Sequence, residues 1–134
     1  MEQNKNGNVR VAVYMRLATD PKDEEQKQLI ELKKAILNEY CLKRGWTIPM
    51  NCYADVGLSG LNMDRPQLQR MLSAIKNGTV DVCLVESLSR LSRSLENFCE
   101  IQSLLDKHHV RLVSVQEGDI SCSRISHWKK FSTV

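Results

Sequence analysis

Four arginines of this sequence occupy positions at which a phosphate-binding site could form. Arg16 closes an apolar segment that predicts a β-strand, and Arg65 stands directly before a proline that could open a helix. Arg90 and Arg93 follow a second apolar segment. Arginine stays protonated, and its planar guanidinium matches the oxygens of a phosphate group. Because positioned donors supply most of the catalysis in phosphoryl transfer, the pattern predicts phosphodiester chemistry.

The elements that must position these arginines alternate between strands and helices. Apolar or alternating runs predict four strands, at residues 9–15, 46–54, 80–85 and 110–115. Helical periods follow Pro21, Pro66 and Ser94, each of which suits the start of a helix. This alternation predicts a three-layer α/β domain with a mostly parallel four- to five-stranded central sheet and helices on both sides.

Three polar segments fall where the predicted strands end, at residues 16–20, 55–65 and 86–93. Open α/β sheets bind ligands beyond the carboxyl ends of their strands, so these segments are expected to converge. Side chains alternate along a strand, so Tyr14, Arg16 and position 18 share one face if the extended conformation continues. Arg90 and Arg93 would point the same way on a helical turn.

Each of these residues also has an ordinary structural explanation. An arginine after a strand commonly pairs with a surface carboxylate, and Arg90 with Arg93 could form a solvated helix face. Asp55 could be a turn or helix-dipole ligand, and Glu86 could be either a general base or a cap for the turn that follows it. Only the joint pattern favours a functional site.

The first helix carries the apolar stripe that we expect to face the core. Its members share a helical period and are Leu29, Leu32, Ile36, Leu37 and Tyr40. The basic pair Lys43 and Arg44 precedes Gly45, which predicts the end of this helix. The adjacent His108 and His109 are expected to end the third helix near its negative pole.

Bulk composition fits a single domain. The 134 residues are 42% hydrophobic and 26% charged, and the net charge of +3 permits contact with nucleic acid without arguing for it. Residues 1–8 form a polar arm that we expect to be disordered, and no membrane-spanning run or signal peptide is present in the sequence. The predicted domain covers residues 9–122, and residues 123–134 would begin a truncated C-terminal helix or a linker.

The cysteines indicate a reduced environment. Five cysteines are widely spread with no C-x-x-C pair, which favours a cytoplasmic protein with free thiols and argues against a zinc site. The histidines are adjacent and would point about 100° apart on a helix, so they suit a shared metal poorly. We therefore expect neither a metal nor another cofactor.

Three motifs together resemble the serine recombinases of the resolvase and invertase family. Tyr14-x-Arg16-Leu17-x-Thr19 is similar to the family's Tyr-x-Arg-Val-Ser-Thr motif. Asp55-x-Gly57-x-Ser59-Gly60 followed by Arg65-Pro66 resembles its flexible loop and helix start. Residues 81–94 resemble its strand and Asp-Arg-Leu-x-Arg segment. The motifs occur in family order over about residues 9 to 120.

This resemblance implies the catalytic domain of a site-specific DNA recombinase. A serine of the family attacks a DNA phosphodiester, and subunits of a tetramer then exchange strands before the 3′-hydroxyls rejoin them. The implied partners are DNA, bound weakly by this domain alone, and further copies in a dimer or tetramer. The matching arginines are implied to be catalytic: Arg16, Arg65, Arg90 and Arg93. Further phosphate or DNA contacts are implied for Tyr14, Thr19, Asp55, Ser59, Gly60 and Ser89.

Two positions depart from the family pattern. Ala18 occupies the position of the serine nucleophile, and Ser89 stands where many members have aspartate. A glutamine of the family's first helix could correspond to either Gln26 or Gln28. Alanine at position 18 has three explanations. It could be an engineered inactivation, it could be a natural loss, or a neighbour such as Thr19 could act as the nucleophile instead. Thr19 would face away from Arg16 if the strand continues.

Three hypotheses follow for the function. The first is a recombinase catalytic domain that is inactive as written, because a methyl group cannot act as a nucleophile. The second is a non-enzymatic recombinase-like module that regulates assembly. The third is an α/β domain for another phosphate ligand, which is disfavoured because the first loop has no G-x-G-x-x-G motif.

Overall fold

A computed structural model of the chain describes residues 9–17, 24–46, 51–56 and 65–120. The predicted N-terminal arm and the predicted helix or linker after residue 122 lie outside these ranges. The same holds for four residues of the predicted site: Ala18, Thr19, Ser59 and Gly60.

The central sheet has five strands within the described residues. They are β1 (Val11–Leu17), β2 (Asn51–Val56), β3 (Val82–Val85), β4 (Arg111–Ser114) and β5 (Gly118–Ile120). Their order in the sheet is β2-β1-β3-β4-β5. Strands β1 to β4 are parallel to one another, and β5 runs antiparallel to β4. The prediction of a mostly parallel four- to five-stranded sheet is confirmed.

Helices flank this sheet on both faces. They are α1 (Glu24–Lys43), α2 (Pro66–Lys76), α3 (Leu88–Leu91) and α4 (Leu95–Lys107). Pro66 opens α2, and the Ser94 side chain caps α4 by accepting from the Asn97 amide at 3.2 Å. His108 is the C-cap of α4, and His109 follows it with a left-handed φ of 59°. The predicted helix starts and ends here are therefore confirmed.

Strand alternation divides the core into two layers. On one face, Tyr14, Cys83 and Leu112 pack with side chains from α2 and α4. On the other face, Val13 and Leu84 pack with side chains from α1. Because successive side chains of a strand point to opposite faces, the nearly continuous apolar sequences of β1 and β3 serve both layers.

The predicted core stripe of α1 is wrong in three of its members. Leu37 is buried and Tyr40 is partly buried, but Leu29, Leu32 and Ile36 are 48%, 56% and 51% exposed. The face that packs on the sheet is marked instead by Ile30, Leu37 and Cys41. This helix carries apolar residues on more than one side, so its sequence period could not determine which side is buried.

Two boundaries also differ from the prediction. Trp46 precedes β2 and is not part of it; its buried ring lies 6.2 Å from the Tyr40 ring, with the Arg44 guanidinium 4.9 Å from its centroid. Strand β2 continues through Asp55, which the sequence had placed in a loop. Parallel pairing of Arg16 with Asp55 extends the strand beyond its apolar part.

Arg10 and Asp81 join the chain before β1 to the chain before β3. The Arg10 amide and Nε donate to Asp81 Oδ2 at 2.9 and 3.0 Å, and Nη2 donates to Oδ1 at 2.9 Å. These hydrogen bonds lower the pKa of Asp81. A lowered pKa in the folded state means that the interaction stabilises the fold above the unfolded pKa of about 4 and is lost as pH falls through the folded value.

We therefore predict a pH-dependent loss of stability for Asp81→Asn. The free energy of unfolding should fall by about 1 kcal/mol at neutral pH, a small effect because Arg10 is half exposed to screening solvent. The difference from wild type should begin to shrink below about pH 4, where the unfolded state takes up a proton, and should vanish once the pH is below the lowered pKa of the folded state. Urea unfolding at both pH values measures it, with Glu100→Gln on exposed α4 surface as the charge-matched control. An equal loss at both pH values would contradict the assignment.

Candidate nucleic-acid interface

Arg16 lies at the carboxyl end of β1, on the same face of the sheet as Tyr14. Its side chain is only 8% exposed. Nε lies 3.4 Å from the Arg90 carbonyl oxygen, and Nη2 lies 3.5 Å from that of Ser89, so both bonds are long. The guanidinium is therefore held against the backbone of α3.

Beneath Arg16, a buried network joins three elements. The Tyr14 hydroxyl donates to Asp55 Oδ2 at 2.9 Å, and Arg65 Nη1 donates to the same hydroxyl at 3.2 Å. Burial raises the pKa of Tyr14, opposed by the charge of Arg65 and reinforced by Asp55. A phenol held in this way stays protonated at neutral pH, so it acts as a fixed hydrogen-bonding group.

Asp55 has a second role at the start of α2. Its carboxylate accepts from the backbone amides of Gln67 at 2.9 Å and Leu68 at 3.0 Å. The N-cap residue Arg65 supplies no side-chain cap of its own. A carboxylate at this position satisfies helix amides that have no partner within the helix, and it complements the positive end of the helix dipole. Asp55 thus fixes α2 relative to β2, which is consistent with the predicted turn or dipole ligand.

Arg65 is fully buried, with 0% of its surface exposed. Nη2 donates to the Leu91 carbonyl at 2.6 Å, and Nη1 lies 3.4 Å from the Arg90 carbonyl oxygen. Its guanidinium carbon also lies 5.5 Å from the centroid of the Tyr14 ring. In this geometry Arg65 holds the last residues of α3 and does not reach the surface, unlike the other three arginines of the predicted cluster.

The short helix α3 carries Arg90, which is partly exposed. Ser92 then adopts an extended backbone, with φ of −162° and ψ of 140°, so Arg93 is not on the same helical turn. The prediction that Arg90 and Arg93 point the same way because of helical spacing is wrong. Arg93 and Ser89 are nevertheless both exposed beside α3, and the Ser89 hydroxyl lies 3.1 Å from that of Ser87.

Arg16 and Arg65 converge on the Arg90 carbonyl, and the electrostatics of Arg16 agree with this geometry. Burial lowers its pKa most, followed by the positive charges of Arg90 and Arg65, with a smaller contribution from Arg93. Like charges lower the pKa of a cation only when they lie close enough to repel it. The edge beyond β1 and β3 therefore concentrates positive charge, and an anion bound there would relieve the repulsion.

Glu86 forms an ion pair with a lysine of α1 and does not accept from the first amide of α3. Its carboxylate accepts from Lys33 Nζ of α1, with distances of 3.1 and 3.4 Å to its two oxygens. The first amide of α3, at Leu88, instead donates to Glu117 Oε1 at 3.1 Å. Sequence reasoning missed Glu117, although its position three residues after Ser114 was a signal for a side-chain-stabilised turn.

The two candidate glutamines of the first helix are only partly described. Gln28 is exposed on α1, whereas the side chain of Gln26 lies outside the described residues. In the described ranges, no group of three or more histidine, cysteine, aspartate or glutamate side chains is arranged to hold a metal ion. Likewise, none of the helices within them is both long and apolar enough to cross a membrane.

The chain is similar in structure to a solved catalytic domain. The N-terminal catalytic domain of TP901-1 integrase superposes with a TM-score of 0.76 at 30% sequence identity, covering 92% of both chains.

Comparison with curated sequences gives two further relatives. A candidate DNA recombinase of Bacillus subtilis (strain 168) is 30% identical over 105 residues, 78% of this chain, and the chain spans only 20% of that relative's length. An immunity region protein (number 3) of Bacillus phage phi105 is 32% identical over 83 residues, which are 62% of this chain and 96% of that protein.

The family model described as "Resolvase, N terminal domain" matches residues 11–127, most of the chain. Its span includes all four arginines of the predicted cluster and position 18. The sheet order, the arginine-bearing α3 turn and this match agree with one another. The chain therefore belongs to the family of resolvase N-terminal domains, the catalytic domains of serine recombinases.

Proposed function

We propose that this domain binds the phosphate backbone of DNA through Arg16, Arg90 and Arg93, as the catalytic domain of a site-specific recombinase. The observation that supports it is the position of Arg16, which is held by α3 carbonyls amid the charges of neighbouring arginines. A concentration of positive charge of this kind favours an anionic ligand, and the family match makes DNA the relevant one.

The proposed chemistry uses these residues in two groups. In a serine recombinase reaction, the serine Oγ forms a bond to phosphorus as its proton leaves to a base. The bond from phosphorus to the 3′-oxygen breaks, and that oxygen takes up a proton. Arg16, Arg90 and Arg93 would donate to the non-bridging oxygens, where negative charge accumulates. Tyr14 and Arg65 would keep the α3 turn in place.

We propose that the chain as written does not cleave DNA, because Ala18 occupies the nucleophile position. A methyl group has no lone pair with which to attack phosphorus, and no base can activate it. Thr19 is a poor substitute, since continued alternation along the strand would turn it to the face opposite Arg16. Binding and assembly are the properties that this substitution leaves intact.

A second candidate function is a non-enzymatic module that associates with active recombinase subunits. The phage phi105 relative favours it, because the region similar to this chain makes up 96% of that protein. A short protein built almost entirely from a region similar to part of this domain could act by pairing with other subunits. Self-association as a dimer or tetramer belongs to either candidate, and a cytoplasmic location fits the four free cysteines of the described residues.

The first prediction concerns restoration of the nucleophile. Ala18→Ser, in a chimera with the remaining regions of an active serine recombinase, should produce a covalent protein–DNA species on the cognate site of that recombinase. Denaturing electrophoresis of labelled DNA detects the adduct, and protease digestion should remove it. The unchanged Ala18 chimera and Ala18→Ser combined with Arg16→Gln are the matched controls, and both should give no adduct.

If the Ala18→Ser chimera folds and binds its site but forms no adduct, the proposed active-site arrangement is wrong. Sedimentation of the domain with active subunits would then distinguish the second candidate. Association without cleavage after Ala18→Ser would support the regulatory module.

The second prediction concerns DNA binding by the 134-residue chain. It should bind duplex DNA weakly and without sequence preference, and the affinity should fall with salt because few phosphates are contacted. Arg93→Gln should reduce the slope of log affinity against log salt by about 1. Lys76→Gln removes the same charge at the opposite end of α2 and should change the slope less. Fluorescence polarisation measures both, and tight sequence-selective binding would contradict the proposal.

The third prediction separates Arg65 from the exposed arginines. Arg65→Met should lower the free energy of unfolding by about 3 kcal/mol, because it leaves the buried Leu91 carbonyl and Tyr14 hydroxyl without their donor. Arg93→Met should change stability by less than about 0.5 kcal/mol, since its side chain is exposed. Chemical denaturation measures both. Equal stability losses would show that the buried role of Arg65 is wrong.

A further inference from the structure

Helix α3 is held from both of its ends. At its last residues, the carbonyls of Ser89, Arg90 and Leu91 face the guanidinium groups of Arg16 and Arg65. At its first residue, the Leu88 amide donates to Glu117 Oε1 at 3.1 Å. A negative group thus meets the free amide of the turn and positive groups meet its free carbonyls, which is the favourable polarity for a helical turn.

Glu117 is itself fixed by a rigid neighbour. Ser114, which is fully buried in β4, donates from its hydroxyl to Glu117 Oε1, and the Glu117 amide donates back to that hydroxyl at 3.1 Å. The Ser114 hydroxyl also lies 3.4 Å from the Glu86 carbonyl oxygen. A buried hydroxyl of β4 therefore anchors the carboxylate, although Glu117 itself lies in the turn that follows the strand.

The turn between β4 and β5 is also bonded to the chain that leads into α3. The Val115 amide donates to the Val85 carbonyl at 3.0 Å, and the Gln116 amide donates to the Glu86 carbonyl at 3.2 Å. These bonds bring Glu117 alongside the first residue of α3. The carboxylate then joins the carboxyl end of β4 to the turn that carries Arg90.

We propose that Glu117 is a positioning residue for the arginine cluster. It fixes the first amide of α3 and thereby sets where Arg90 and the following Arg93 present their guanidinium groups. This inference rests on the proposed binding of DNA at that cluster. A carboxylate near a DNA-binding edge would otherwise act only by repulsion, and the two roles predict effects of opposite sign on affinity.

The test compares Glu117→Ala with Glu117→Gln in the 134-residue chain. Both remove one negative charge, but only glutamine keeps an oxygen that can accept from the Leu88 amide. Glu117→Ala should bind a labelled DNA duplex about fivefold more weakly than wild type, with a salt slope reduced by about 1. Glu117→Gln should bind at least as tightly as wild type. Glu100→Ala is the charge control and should bind slightly more tightly.

A change of slope separates positioning from simple destabilisation. A smaller folded fraction lowers the apparent affinity at every salt concentration without changing the number of phosphates contacted. Equal weakening of both Glu117 variants would overturn the inference, because glutamine retains the oxygen that accepts from the Leu88 amide. Tighter binding of both variants, equal to that of Glu100→Ala, would overturn the inference, as would weaker binding with an unchanged slope.

A second measurement does not depend on DNA. The Arg16 Nε–H resonance and the Arg65 Nη–H resonances report the carbonyls of α3 directly. In the free protein they should shift in Glu117→Ala but stay close to wild type in Glu117→Gln. If the wild-type chain binds no DNA, the proposed function fails, and these resonances alone decide the positioning role. Unchanged resonances in the folded Glu117→Ala protein would overturn it.

Discussion

The Arg65 guanidinium, which has no exposed surface, donates to the Tyr14 hydroxyl and to backbone carbonyls at the end of α3. A buried cation is costly unless its donors are satisfied, so this contact fixes three elements at once: β1, the start of α2 and the α3 turn. Asp55 completes the arrangement by accepting from Tyr14 and from the first amides of α2. The position of Arg90 follows from this buried network.

The site therefore has an inner and an outer level of arginines. Arg65 is structural in this geometry, whereas Arg90 and Arg93 reach solvent, and Arg16 lies between the two levels with 8% exposure. The mutual repulsion of these cations lowers the pKa of Arg16 in addition to the effect of burial. Repulsion between these cations lowers the stability of the fold, and a bound anion would offset that cost. Alanine at position 18, where the family has a serine, changes no charge in this arrangement.

Much of the fold could be predicted because its signals are local. Strands β1 and β3 are continuous apolar runs, Pro66 and Ser94 mark helix starts, and the family motifs lie where strands end. The buried face of α1 could not be predicted, because Leu29 and its neighbours form an apolar stripe that is as periodic as the buried one. Such a choice is made by tertiary packing.

The residue types of the candidate site could be predicted from the sequence, but the directions and burial of their side chains could not. Arg16 and Arg65 both contact the Arg90 carbonyl, but their spacing in the sequence could not show that Arg65 is fully buried or that the helical turn ends at Leu91. Glu117 was missed because its contact with Leu88 joins residues 29 apart in the sequence. Contacts of that kind arise only once the sheet order has brought β4 beside β3.

The most direct test of the account is an NMR titration of the arginine Nε–H resonances with a short DNA duplex. Binding through the proposed cluster predicts that Arg16, Arg90 and Arg93 shift together in a salt-sensitive manner, while the buried Arg65 resonance moves least. Shifts confined to other arginines, such as Arg44 and Arg70, would contradict the central claim that this edge of the sheet binds the phosphate backbone.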